Sequence, residues 1–408
     1  MRILILTQYF PPEVGAPQNR LMGLADQLKK KGVEVVVLTA MPNYPQMKVH
    51  EMYRGKWHLS ESIRDIRVER SWIYVSSDRS VFKRLLNYFS FVFSSFIVSF
   101  KIKGDFDFVM CESPPLFLGI SAWLICKRKK AKLIFNVSDL WPESAEKLGL
   151  VTNKFFLRMA TRLEEFLYRK SALVSGQTQG IVKNISSRFP LKPVHWLPNG
   201  IDAELFTGAV QSTWRKDNGF SEDDFICLYA GIIGYAQGLE IILESAEKLQ
   251  ANASVKFVLL GDGPEKERLM TIRKEKNLTN VFFKDVVEKS KMMEVVAAID
   301  AAVIPLKRLD LFKGAIPSKI FENLALKKPI LLGVEGEAKT LFIEEGRCGL
   351  AFKPEDANDL SDQVMSLVND RSLLRQLGEN GYKYVHDNFT REKITDSFYN
   401  QLLKLVHN

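Results

Sequence analysis

Short runs of adjacent apolar residues alternate along the whole chain with longer stretches in which apolar residues recur three and four apart. In the first half the short runs are Arg2–Thr7, Val33–Thr39, Phe106–Glu112, Lys132–Asp139, Ala172–Gln177 and Val194–Leu197. They are close to continuously apolar, the pattern of parallel strands covered on both faces. Between them fall helical patterns such as Pro17–Lys31, stopped by Gly32, and Asn153–Lys170. From Phe225 the rhythm restarts, predicting strands at Phe225–Ala230, Lys256–Leu260, Val281–Lys284, Ala301–Leu306, Pro329–Val334 and Gly349–Lys353. Such alternation predicts an α/β doubly wound parallel sheet, and a second complete series predicts a second one. The expected division is a first Rossmann-like domain over residues 1–197, a second over 198–385, and a C-terminal helix over 386–408 that could cross back to the first. The turn-forming cluster Pro198-Asn-Gly-Ile-Asp marks the boundary. Ligands of open α/β sheets sit beyond the carboxyl ends of the strands, so two such domains are expected to face an interdomain cleft.

Composition narrows the class. With 408 residues, 46% hydrophobic and 26% charged, the chain is globular and not disordered. Cys111, Cys126, Cys227 and Cys348 lie far apart with no CxxC pair, which speaks against a disulfide scaffold or a cysteine zinc site and suits a reducing cytosol. Met1-Arg-Ile-Leu-Ile-Leu is too short for a signal-peptide core and reads as the first strand. The net charge of +9 is unevenly placed: residues 1–200 hold 30 basic and 16 acidic side chains, the remainder 27 and 32. The basic half is either a solvated face or one that meets an anionic surface or ligand.

Several segments at strand ends carry candidate chemistry. Gly15 and Ala16 stand where the first helix begins, so backbone N–H groups there can approach an anion; an ordinary strand–helix loop is the other reading. Tyr229-Ala-Gly-Ile-Ile-Gly-Tyr-Ala-Gln-Gly-Leu-Glu runs from a strand through three glycines into a helix, a phosphate cradle without a lysine or arginine. Leu260-Gly-Asp-Gly-Pro fails as a dinucleotide fingerprint because Lys266 holds the third glycine position, but Gly263 is left free for a ligand to approach closely. After the strand ending near Leu306, a loop with Lys307, Arg308 and Lys313 leads to a helix beginning at Pro317-Ser-Lys. Lys319 opposes the helix dipole there, which an anionic ligand would explain; Glu322, three residues on, could accept from a ribose diol. The other reading is an i,i+3 surface ion pair worth a few tenths of a kcal/mol. Asp139 stands at a strand end and is either an acceptor-orienting carboxylate or a helix cap. His50, in the loop after the second strand, could reach the cleft, whereas His195 sits in an apolar run and reads as structural.

Taken in order, Tyr9–Gly15, Asp139-Leu-Trp-Pro-Glu-Ser, Pro198-Asn-Gly-Ile-Asp, Leu260-Gly-Asp-Gly-Pro and Pro317-Ser-Lys-Ile-Phe-Glu-Asn-Leu-Ala-Leu-Lys-Lys-Pro-Ile resemble retaining glycosyltransferases of family 4, over nearly the whole chain. The resemblance implies the two-domain GT-B fold. It also implies retaining transfer of an amino sugar, N-acetyl-L-fucosamine being one example, from a UDP-sugar to a lipid-diphosphate-linked saccharide in bacterial O-antigen, capsule or related polysaccharide synthesis. Partners would be the nucleotide-sugar donor, the lipid-linked acceptor and an anionic membrane surface, with no nucleic acid, at the inner face of the plasma membrane. No metal or other cofactor is expected. Asp139, Lys319 and Glu322 become the catalytic candidates. The donor-site candidates are Gly15, Gly234, Gln237, Gly238, Gly263, Arg308, Ser318, Lys319 and Glu322, and the acceptor-site candidates Asp139, Glu143 and His50. Two features depart from the family: Gly314 stands eight before Glu322 where a second glutamate is usual, and Ile232 and Gln237 stand where an arginine and a lysine usually meet the donor diphosphate. Lys319, with Arg308, is expected to supply the missing charge. The alternatives are a UDP-sugar 2-epimerase and a non-catalytic nucleotide-sugar-binding partner.

Residues 85–100 are unusually rich in phenylalanine between basic flanks, just short of a membrane span, with Ser90, Ser94, Ser95 and Ser99 at helical spacing. They form either a helix in the membrane interface or one packed by its apolar face on the first sheet.

Overall fold

The computed structural model describes residues 1–407 except 14, 45, 79, 148, 150 and 207–209. The chain forms two compact units, one of Met1–Asn199 with Arg391–Asn408 and one of Gly200–Thr390. The first runs two residues past the expected 197, where the Asn199 carboxamide oxygen accepts from the Arg20 guanidinium at 3.4 Å. The C-terminal segment begins at 391 and not 386, because helix Arg371–Asn388 belongs whole to the second unit.

The first unit is built on β1 (Arg2–Leu6), β2 (Glu34–Ala40), β3 (His58–Ile63), β4 (Ile66–Ser71), β5 (Phe108–Ser113), β6 (Lys132–Val137), β7 (Leu173–Gly176) and β8 (Val194–Trp196). Their order across the sheet is β3-β4-β2-β1-β5-β6-β7-β8, parallel apart from the antiparallel β3–β4 pair. Alternation along β1 shows why both faces had to be apolar. Ile3 and Ile5 pack with Leu21, Leu28 and Phe398, whereas Leu4 and Leu6 pack with Phe91, Val98 and Ile125. Each such buried side chain contributes roughly 1.5–3 kcal/mol. Phe398 belongs to the C-terminal helix Arg391–His407, held at its start by Arg391 donating to the Asn19 carbonyl at 2.9 Å.

The β3–β4 hairpin is absent from the sequence reading. Its strands carry alternating charge, and its turn is Arg64-Asp65, both at positive φ (49° and 56°) without the glycine or asparagine that normally signals such a turn. Arg70, fully buried on β4, donates to the carbonyls of Ala40 (3.1 Å) and Pro11 and pairs with Glu61.

The second unit holds β9 (Phe225–Ala230), β10 (Val255–Leu260), β11 (Val281–Lys284), β12 (Ala301–Pro305), β13 (Ile330–Gly333) and β14 (Gly349–Ala351), all parallel, in the order β11-β10-β9-β12-β13-β14. Chain direction across the sheet reverses between β9 and β12. The crevice beyond their carboxyl ends is the topological switch point, where this architecture binds ligands.

Candidate functional site

The loops after β9, β10 and β12 converge at that switch point. The first two are zipped together by backbone. The N–H of Gly231 donates to Leu260 (2.9 Å), that of Ile233 to Asp262 (2.9 Å) and that of Glu265 to Ile233 (3.0 Å). A Cβ on Gly261 would lie 1.9 Å from the Gly231 carbonyl oxygen and one on Gly263 2.3 Å from that of Ile233, both at strongly positive φ. These glycines are required by loop–loop contact. The open face expected at Gly263 is therefore filled by the Ile233 carbonyl. Gly234 precedes a single 3-10 turn, Tyr235–Gln237, closed by Gly238 in the left-handed region. The Gln237 side-chain oxygen lies 2.9 Å from where a Gly234 Cβ would be, so the glutamine folds back over its own loop.

Lys319 opens the seven-residue helix Lys319–Ala325, with Ser318 exposed at its cap position. Its ammonium lies 3.9 Å from the centroid of the Tyr229 ring and 3.1 Å from where a Cβ on Gly231 would sit. Gly231 is held at φ 145°, a backbone conformation that favours glycine, with the lysine end directly above it. Tyr229 is buried and its hydroxyl donates to the Ile232 carbonyl at 2.6 Å, which fixes the ring as a platform. Burial pushes the Lys319 ammonium down to about 7, against the opposing pull of Glu322. Glu322 itself is exposed on the same short helix.

Arg308 has different surroundings. It is exposed, its N–H donates to a Glu355 carboxylate oxygen at 3.0 Å, and it lines a recess of about 350 Å³ with Lys313, Glu335 and Pro354 in which Lys319 takes no part. Lys307, unmarked in the sequence except as part of a polar loop, places its ammonium 3.3 Å from the centroid of the Tyr235 ring, and its N–H donates to the Ala236 carbonyl at 3.0 Å. Gly238 makes room for it, since a Cβ there would stand 3.1 Å from the Lys307 Cγ. The missed signal is position: Lys307 follows the β12 strand end by two residues. Gly314 has open space around it: among the described residues a Cβ there would meet nothing within 4 Å.

In the first unit, Gly15 is extended at the start of helix Ala16–Lys30 and takes no side-chain cap; Val14 beside it lies outside the described residues. Asp139 follows β6, which ends at Val137, earlier than expected because Ser138 turns into a buried network. There the Arg20 guanidinium pairs with Glu112 and donates to the Ser138 hydroxyl (2.6 Å), while Asn136 joins Glu112 (2.6 Å) to Ser175 (2.6 Å). This network fixes the strand ends beside Asp139 and was not legible, since Arg20 reads as one more polar helix position. The Asp139 carboxylate accepts from the Ser144 hydroxyl at 2.8 Å and from the Leu140 N–H, and desolvation by the surrounding protein nevertheless raises its pKa. The helix Glu143–Lys147 follows, with Glu143 engaged by Lys147 at 2.6 Å. His50 heads the short turn Glu51–Tyr53 in the connection between β2 and β3, its N–H donating to the Pro42 carbonyl. His195 packs against Phe398 with its Nε2 unpartnered, and burial pushes it down to about 4, as suits a structural histidine.

Residues 15–200 match the family model "Glycosyl transferase 4-like domain" and residues 210–384 match "Glycosyl transferases group 1". The chain belongs to the GT-B glycosyltransferases. A relative of this glycosyltransferase is WcaI of Escherichia coli K12, a putative colanic acid biosynthesis glycosyl transferase. The two are 24% identical over 412 residues, covering 98% of this chain and 100% of WcaI. Among solved structures, sucrose-phosphate synthase from Thermosynechococcus elongatus superposes with a TM-score of 0.76 at 17% identity, covering 99% of both chains. Anabaena Alr3699/HepE, solved in complex with UDP and glucose, superposes at 0.73 and 16% identity over 99% of this chain and 100% of its own. These likenesses establish the fold.

Proposed function

We propose that this glycosyltransferase moves an amino sugar from a UDP-linked donor to a saccharide carried on a lipid diphosphate, with retention, in the synthesis of a bacterial surface polysaccharide. The observation that carries the reading is the Lys319 ammonium, held over Tyr229 beside Gly231 at the switch point of the second unit. A cation desolvated to a pKa near 7 with an aromatic ring beneath it is a poor structural element and a good partner for a diphosphate. Glu322, exposed on the same helix, would accept from the ribose hydroxyls. The resemblance to amino-sugar transferases, the UDP in HepE and the colanic acid assignment of WcaI support the donor class and the pathway.

In the reaction, the bond from the anomeric carbon to the diphosphate oxygen breaks and one to the acceptor oxygen forms on the same face. The acceptor proton passes to the leaving diphosphate. Lys319 meets the charge that develops on that diphosphate, and no metal is required. Asp139, with its raised pKa and its position after β6, orients the acceptor hydroxyl.

The test is incubation with a panel of nucleotide sugars and a synthetic polyprenyl-diphosphate saccharide, with and without EDTA. Transfer from a UDP-amino sugar, with retained configuration and insensitivity to EDTA, is the expected result. Sugar isomerisation without acceptor would assign a 2-epimerase instead, and donor binding without turnover a binding partner.

A further inference from the structure

Helix Val81–Val98 is built inside out. Its buried side is largely polar and fully engaged. Asn87 donates to the Tyr74 carbonyl at 2.6 Å and accepts from Gln8 at 2.9 Å, Ser90 accepts from the Tyr74 N–H at 2.8 Å, Ser94 meets Ser71 at 3.0 Å, and Ser95 meets Ser121 at 2.8 Å. Its outer side is apolar: Phe82, Leu86, Phe89, Phe93 and Ile97, continued by Phe100, follow one another at steps of four or three residues and form one stripe. Phe82, Phe93 and Phe100 are 67%, 60% and 54% exposed. A helix in a water-soluble protein normally turns such a stripe inward.

Two observations choose the occupant. No acidic residue lies between Asp78 and Asp105, while exposed Arg84, Lys101 and Lys103 bracket the stripe at its two ends. Apolar side chains between cationic ends match the boundary of acyl chains and anionic headgroups. The stripe is also joined by ring packing to a second helix. Phe89 packs on Phe117 (4.8 Å between ring centroids) and Phe117 on Phe156 (6.0 Å). The helix carrying Phe156, Lys154–Lys170, exposes Phe155 and Met159 among Arg158 and Arg162. Phe117 also packs on Trp141 (5.4 Å), two residues from Asp139.

We propose that the Phe82–Phe100 stripe, with Phe155 and Met159, seats the first unit on an anionic lipid bilayer, the helix lying along the surface and Asp139 near the headgroups. At about 1.5 Å per residue the helix is roughly 27 Å long, and no helix among the described residues is long and apolar enough to cross a membrane. The surface deepens the lipid-linked acceptor reading and rests on it for its purpose, though not for its physical basis.

The experiment is co-sedimentation of the full chain with phosphatidylcholine vesicles, with and without phosphatidylglycerol, at about 0.05 M and about 0.5 M salt. The expected result is binding to the anionic vesicles that weakens at high salt. Affinity should fall at least roughly tenfold in Phe82→Ser/Phe93→Ser/Ile97→Ser, with helical content and UDP binding unchanged. A charge-reversed Arg84→Glu/Lys101→Glu/Lys103→Glu chain should lose its preference for anionic vesicles. Equal binding by wild type and the triple serine variant, or no binding by wild type, would overturn the proposal. So would a wild-type dimer that the serine variant dissolves while neither form binds vesicles, which would assign the stripe to a second copy of the chain. Vesicle binding by a chain that transfers no sugar would support the surface and refute the reaction proposed above.

Discussion

In the proposed donor site Lys319 carries the chemistry at the residue scale, because burial weakens its charged form and an anionic ligand would restore it. A diphosphate beside the ammonium favours its charged form, so the pKa of Lys319 rises on binding from about 7 in the free protein. Below that value the group is already charged and binding takes up no proton. Above it, binding requires proton uptake, and affinity falls by up to about tenfold per pH unit until the raised pKa of the complex is reached. UDP titrated above pH 7 should therefore bind more weakly as pH rises, with a proton taken up from buffer. Calorimetry in two buffers of different ionisation enthalpy measures both. The φ of 145° at Gly231 also explains a residue choice that sequence leaves open, since Gly231 reads equally well as part of a phosphate cradle.

Secondary structure shows most plainly what the amino-acid pattern reveals and what it hides. Apart from β4, the parallel strands of both units are visible because burial on both faces makes them apolar throughout, as in β1 and β9. The β3–β4 hairpin is hidden because its strands satisfy their charges locally, Glu69 accepting from His58 at 2.6 Å and from Arg67 at 2.6 Å. The presence of helix Val81–Val98 is legible but its orientation is not. Periodicity places phenylalanines and serines on opposite faces, yet only tertiary partners such as Ser71, Ser121 and Gln8 decide that the serine face is inside. The same holds at the donor loops, where Gly-Asp-Gly is visible and its cause, the Gly231 and Ile233 carbonyls, is not. This orientation has a stability consequence. Asn87→Ala leaves buried partners at Gln8 and Tyr74 unmet and should cost about 1–3 kcal/mol, whereas Phe93→Ala on the same helix should be within about 0.5 kcal/mol of neutral. Urea unfolding of the two variants checks the contrast.

For the whole molecule, net charge conceals a division of labour. The first unit holds 33 basic and 18 acidic residues and the second 24 and 30, so the unit proposed to bind an anionic nucleotide sugar is itself acidic. General attraction by net charge therefore works against donor binding, and affinity has to come from a few placed groups. The basic unit carries the exposed phenylalanine stripe and Asp139, which fits an acceptor delivered at an anionic surface. Calorimetric titration of UDP into Lys319→Met, beside wild type, tests the central claim most directly. Losing one charge-assisted contact of about 1.5–3 kcal/mol should weaken binding roughly ten- to hundredfold. Removing a desolvated cation should at the same time raise the melting temperature of the free protein. Unchanged UDP affinity in a folded Lys319→Met protein would contradict the assignment of the donor site.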